Sequence, residues 1–122
     1  MSDASTPLAT HVHLELWGVA EATLNDPARL EQVLKAAAAA AKCEVLGSVA
    51  HRFQPQGASV VVLVAESHLS IHTWPERRYA AADILTCGET LPDAGVAAIV
   101  AELRPETWSA DRFSRGVTPL KK

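Results

Sequence analysis

From His11 to Trp17 polar and apolar residues alternate, with His11, His13, Glu15 and Trp17 on one side and Val12, Leu14 and Leu16 on the other. That period of two belongs to a strand with one face in an apolar core. Further on the spacing becomes helical: Leu30, Val33 and Leu34 precede the alanine run Ala36 to Ala41, with Pro27 in the first turn and Asn25 or Asp26 as the cap. Alanine is the strongest helix former and lets a helix approach a sheet closely. Val45 to Gln54 reads as a strand, Pro55-Gln56-Gly57 as a turn, and Ser59 to Ala65 as a central strand whose Val/Leu run predicts burial on both faces. His68 to Trp74 alternates again until Pro75, and Ala80 to Thr86 adds a strand ending at Cys87-Gly88. A second helix starts at Pro92 and Asp93 with Val96, Ile99, Val100 and Leu103 as its stripe, and Trp108 to Arg115 forms an edge strand. Two helices among five or six strands joined by short turns predict an α+β fold, a two-layer sandwich with an antiparallel sheet and two helices on one face. The opposite face is left for a ligand or partner.

Composition narrows the field. A chain of 122 residues suits one domain spanning 1–122, since no repeat, linker or low-complexity segment divides it. The net charge of -3 and pI near 5.9 provide no basic face for nucleic acid or an anionic membrane. The run Ala58 to Ala65 is far shorter than the roughly 20 residues needed to cross a bilayer, and the start MSDASTP has neither the basic nor the apolar region of a signal peptide. A cytoplasmic protein is expected, in which Cys43 and Cys87 are free thiols, either packed or reactive.

The reactive residues gather in AESHLSIHTWPE, residues 65–76, directly behind the apolar strand. In one regular strand Ser67 and His72 would lie on opposite faces, so their cooperation requires a departure from extension near Glu66-Ser67. A serine hydroxyl needs a base or a held geometry to attack, and its nearest electrophile is the carbonyl just before it. The Glu66-Ser67 amide could thus become an ester, and loss of the serine α-proton would split the chain and leave a pyruvoyl group at position 67.

This segment, with TCG at Thr86 to Gly88 and HRFQPQGAS before it, resembles the prokaryotic S-adenosylmethionine decarboxylase proenzyme family of the short, single-domain type; the similarity runs from about His11 to Thr90. The resemblance implies cleavage between Glu66 and Ser67 into chains 1–66 and 67–122, with Ser67 becoming the pyruvoyl cofactor that forms a Schiff base with S-adenosylmethionine. His72 matches the processing histidine that acts on the Ser67 α-proton, Ser59 a serine assisting processing, and Cys87 the proton donor after carbon dioxide departs. Phe53 matches an aromatic that stacks on adenine, Trp74 lies at its site, and Glu76 matches a carboxylate holding ribose hydroxyls. The family acts in spermidine biosynthesis as homodimers of cleaved protomers with active sites at the shared interface. An internal pyruvoyl also fits the lack of any lysine in a phosphate-cradling context, since only Lys35, Lys42, Lys121 and Lys122 occur.

Gln54 and Val60 stand where relatives carry serine and glycine, and Arg77-Arg78 replaces an aromatic-glycine pair. Two added cations beside the pocket bear on substrate choice, so the same pyruvoyl chemistry on ornithine or arginine is one alternative. Two others are of different classes. His11 and His13 with His68 or His72 could form a metal-binding module, although small β-barrel metal sites usually have more strands and glycine turns than this chain supplies, or the fold could serve as a non-catalytic regulatory subunit.

Overall fold

The computed structural model describes residues 6–119, so the stretch Met1 to Ser5 and the lysines Lys121 and Lys122 lie outside the described residues. Six strands, β1 (Ala9–Trp17), β2 (Glu44–Arg52), β3 (Ala58–Ala65), β4 (Ser67–Trp74), β5 (Tyr79–Thr86) and β6 (Thr107–Arg115), form one sheet in the order β2-β3-β4-β5-β1-β6. All neighbours are antiparallel. Helices α1 (Glu21–Leu24), α2 (Pro27–Ala40) and α3 (Pro92–Leu103) complete the fold with a 3-10 turn at Pro75–Arg77. The two long helices cover one face, giving the expected two-layer α+β sandwich; α1 and the 3-10 turn are too short to carry a periodic signal.

Sequence and packing agree closely on the helical side. Val12, Leu14 and Leu16 of β1, Val60, Val62 and Val64 of β3, Leu69 and Ile71 of β4 and Ile84 of β5 are buried there against Leu30, Val33, Leu34 and Ile99 of the helices. Asp26 rather than Asn25 caps α2, its Oδ1 accepting from the Arg29 amide at 3.1 Å, with Pro27 at the first turn. Asn25 instead accepts from the Gly57 amide at 2.9 Å, tying the β2–β3 loop to the helix start. The alanine run sets the helix-to-helix distance as well as the approach to the sheet. Ala37, Ala38 and Ala41 are buried, and a Cβ added at Gly95 of α3 would lie 3.1 Å from Ile84 Cδ1, 3.3 Å from the Ala37 carbonyl and 3.4 Å from Ala41 Cβ.

One expectation fails. β3 is buried on one face only, for Val61 is 43% and Leu63 is 53% exposed while their neighbours Val60, Val62 and Val64 are enclosed. Val49 of β2, paired with Val61, is 71% exposed. The run VVVLVA is apolar on both sides, but among the described residues nothing of the same chain covers the outer side. No helix among the described residues is long and apolar enough to cross a membrane.

The close contact at Gly95 yields a test. Gly95→Ala adds a methyl group that the neighbours can admit by small shifts, whereas Gly95→Val overpacks the α2–α3–β5 junction and should cost about 1–3 kcal/mol of unfolding free energy in chemical denaturation.

Candidate active site

Strand register decides which reactive residues meet. β3 pairs with β4 from Ser59↔His72 through Val64↔Ser67 without interruption, leaving Ala65 and Glu66 as the connecting turn. The departure from extension is confined to that turn, so Ser67 opens a regular strand. Ser67 and His72 lie five positions apart along β4, roughly 16 Å at the rise of an extended strand. They do not meet within one chain.

What surrounds Ser67 is Cys87. The Ser67 hydroxyl lies 4.0 Å from Cys87 Sγ, and the thiol lies 3.8 Å from a carboxylate oxygen of Glu66. Register explains this grouping, because His68 pairs with Leu85, which sets the start of β4 beside the end of β5. Gly88 follows with φ +70, a left-handed conformation that glycine adopts freely as the chain leaves the sheet. The second thiol is different in kind: burial, and after it the charge of Cys87, pushes the Cys43 thiol up, so Cys43 stays protonated.

His72 belongs to another group on the uncovered face. Its Nδ1 shares a hydrogen bond with the Ser59 hydroxyl, and its ring lies 5.5 Å from Phe53 and 4.4 Å from Trp74. Trp74 continues to Tyr79 at 5.2 Å and Tyr79 to Trp17 at 4.3 Å, an aromatic row crossing β4, β5 and β1. The Tyr79 hydroxyl donates to Glu15 at 2.5 Å; burial, helped by that carboxylate, pushes its pKa up to about 12, so it remains a donor. Phe53, His72, Trp74 and Glu76 line one hollow of about 200 Å³, and Ser59 and His72 line an adjoining one of about 400 Å³ with Glu15 and Asp83. The hollow's rim is fixed by backbone: the Phe53 amide donates to the Gly57 carbonyl at 2.8 Å, and Gly57 sits at φ +99. The buried Thr73 hydroxyl donates to the Leu24 carbonyl at 2.7 Å and accepts from the Ala58 amide at 2.9 Å.

Sequence reading passed over Asp83. It projects from the middle of β5 among alanines and accepts from His11 Nε2 at 2.6 Å, from His68 Nε2 at 3.1 Å and from the Ser70 hydroxyl. Burial opposes its charge, but the bonds from Ser70, His11 and His68 outweigh that and hold the carboxyl below its ordinary range, so it is ionised at neutral pH. A lone carboxylate at an alternating strand position was the available signal. His11, His68 and Asp83 form the one group among the described residues whose ligand atoms could share a metal ion; His13 stacks on His11 at 4.5 Å, and His72 is elsewhere.

A sequence profile described as S-adenosylmethionine decarboxylase matches residues 10–116. The chain belongs to that family. It is 46% identical over 112 residues to a protein of Brevibacillus brevis named S-adenosylmethionine decarboxylase proenzyme, covering 91% of this chain and 84% of that one. A proenzyme of the same name from Methanococcus vannielii is 38% identical, covering 94% and 95%. Among solved structures, the adenosylmethionine decarboxylase of Aquifex aeolicus superimposes with a TM-score of 0.86 at 31% identity, covering 96% of this chain and 98% of that one. The Trypanosoma brucei enzyme shares the fold alone, with a TM-score of 0.61 at 13% identity over 83% of this chain and 44% of the other.

In this member of the S-adenosylmethionine decarboxylase family, backbone geometry decides where the second cation of the Arg77-Arg78 pair goes. Arg78 adopts φ 53 and ψ 36, a left-handed conformation suited to glycine and unfavourable for arginine. Its guanidinium donates to the Val19 carbonyl at 3.2 Å, the Gly18 carbonyl at 3.1 Å and Glu106 at 3.4 Å. That cation is therefore bound to the end of β1 and withdrawn from the hollow holding Glu76. Arg78→Ala keeps the strained conformation and loses three hydrogen bonds, so it should cost about 1–2 kcal/mol, read as a lower thermal midpoint. Arg78→Gly should recover part of that loss by relieving the backbone.

Proposed function

We propose that this protein is a pyruvoyl-dependent S-adenosylmethionine decarboxylase, generated by breakage of its own chain between Glu66 and Ser67 and active as a homodimer in the cytoplasm. The observation that carries the reading is the meeting of Ser67, Cys87 and Glu66 at the β3–β4 turn. Addition of the Ser67 hydroxyl to the Glu66 carbonyl replaces the C–N bond with an ester. Removal of the Ser67 α-proton then breaks the Cβ–O bond and releases the Glu66 carboxylate. Water replaces the nitrogen of the resulting dehydroalanine, ammonia leaves, and position 67 ends as a keto acyl group. That group supplies the electron sink for loss of carbon dioxide from a bound amino acid. Cys87 stands where it can hold the proton destined for the carbon that carbon dioxide leaves.

Two independent features support a second copy on the uncovered face. His72 and Ser59 are out of reach of their own chain's Ser67, and Val49, Val61 and Leu63 are exposed around them. A contiguous exposed apolar patch of this kind marks an interaction surface. A partner packed sheet to sheet covers them and can bring its Ser59–His72 pair toward this chain's Ser67–Cys87 pair. The substrate assignment draws on the aromatic hollow. Phe53 and Trp74 present ring faces for a planar base and a sulfonium, and Glu76 is a carboxylate for sugar hydroxyls. Ornithine and arginine need none of these, and the product serves as aminopropyl donor for spermidine.

Mass spectrometry of the purified protein should give chains 1–66 and 67–122, the second without its amino terminus, and carbon dioxide release should occur with S-adenosylmethionine and not with ornithine or arginine. Release from either of the latter would overturn the substrate assignment. Ser67→Ala should stay whole, and His72→Ala should process about 10²–10⁴-fold more slowly. Co-expression of these two variants should restore cutting of the His72→Ala chain, because its partner supplies the missing imidazole; no restoration would place His72 in its own chain's site.

A further inference from the structure

Self-cleavage at Glu66-Ser67 creates a mechanical problem that the fold must solve, and the inference here rests on that reading. Before breakage residue 67 is held by a two-residue turn between paired strands. Afterwards it is a chain terminus, and termini are where strands fray first, with the smallest free energy of local opening. Yet this terminal residue carries the reacting carbonyl. Placement errors near 1 Å can cost on the order of 100-fold in rate. The ladder bonds of β4 alone leave the end residue as free to open as any other strand end.

On the uncovered face, His68 and Ser70 are the first two side chains of the new fragment. Both bind Asp83: His68 Nε2 lies 3.1 Å from Oδ2, and the Ser70 hydroxyl donates to Oδ1. Asp83 is in turn held from β1 by His11 Nε2 at 2.6 Å, and His11 Nδ1 receives Arg115 of β6 at 3.2 Å. The carboxylate thus fastens the first residues of β4 to three further strands through charge-assisted bonds, which are stronger than neutral ones. The three ligand atoms lie within 4.8 Å of one another, close enough for a divalent metal. Arg115 argues for protons instead. A guanidinium can only donate, so His11 Nδ1 accepts and its proton sits on Nε2, facing Asp83, where a metal would need a lone pair.

We propose that Asp83 is a positioning residue that keeps the cleaved end of β4, and with it the carbonyl at position 67, from fraying out of the site. Its role differs from general stability because it is needed only once the turn is cut. In the Ser67→Ala background the covalent turn does the holding.

The test compares Asp83→Asn in two forms, the cleaved dimer and the uncleavable Ser67→Ala chain, by amide hydrogen exchange over residues 68–71 and by kinetics. In the cleaved form, exchange in this segment should quicken about 10-fold or more, and kcat for S-adenosylmethionine should fall about 10- to 100-fold with KM within about twofold. In the uncleavable chain exchange should change less than about twofold. Equal quickening in both forms, or in neither, overturns the proposal. Where Asp83→Asn fails to fold or to cut itself, His68→Ala decides, since it leaves the His11–Asp83–Ser70 bonds in place. A His68→Ala chain that stays unbroken would assign the contact to a step before cleavage and overturn the proposal. A wild-type protein found intact by mass spectrometry would remove the cleavage reading, and this inference with it; a cut wild type with an unaffected variant would remove the inference alone.

Discussion

A pleated strand sends alternate side chains to opposite faces, and this sheet has helices for only one of them. Much of the candidate site follows from that asymmetry, although Ser67 shares parity with the buried Leu69 and Ile71. The face under α2 and α3 takes the Val, Leu and Ile of each strand, and the other takes what remains: His11, Glu15, Ser59, His72, Trp74 and Asp83 at parity positions, with Val61 and Leu63 among them. One choice of register therefore fixes both the core and the set of groups available for chemistry. A slip of one residue in β4 would bury His72 and expose Ile71.

The same geometry divides the reactive groups into two parties. Ser67 and Cys87 gather where β4 begins and β5 ends, while Ser59, His72, Phe53 and Trp74 gather toward the opposite ends of these strands. Regular extension keeps the parties apart, since no bulge or bend interrupts β4. Sheet regularity, which serves folding, is thus what prevents one chain from joining the two parties by itself.

Much of this was legible in the sequence. Alternation located β1 and β4, helical spacing with Pro27 and Pro92 located the two long helices, and the AESHLSIHTWPE segment with Cys87 carried the family resemblance that the profile match bears out. Burial of β3 on both faces was not legible correctly, because hydropathy reports that a face wants cover without saying whether the same chain provides it. The separation of Ser67 from His72 depended on where a two-residue turn fell. Asp83 went unnoticed because its partners come from His11, 72 positions away, and from His68 and Ser70 on the next strand. Pair contacts across strands leave no periodic trace. Arg78 was visible as a cation near Glu76, while its withdrawal from the hollow needed the carbonyls of Gly18 and Val19 to be placed.

The strand order has one more consequence. Cutting after Glu66 leaves β1, β2 and β3 on one piece and β4, β5 and β6 on the other, but in the sheet they run β2-β3-β4-β5-β1-β6. β1 is wedged between two strands of the other fragment, so the pieces meet along three seams and share one apolar core. Pulling them apart is the same event as denaturing the domain. Severed there, the backbone would still behave as a single cooperative body, like a knot whose rope has been cut inside the tuck.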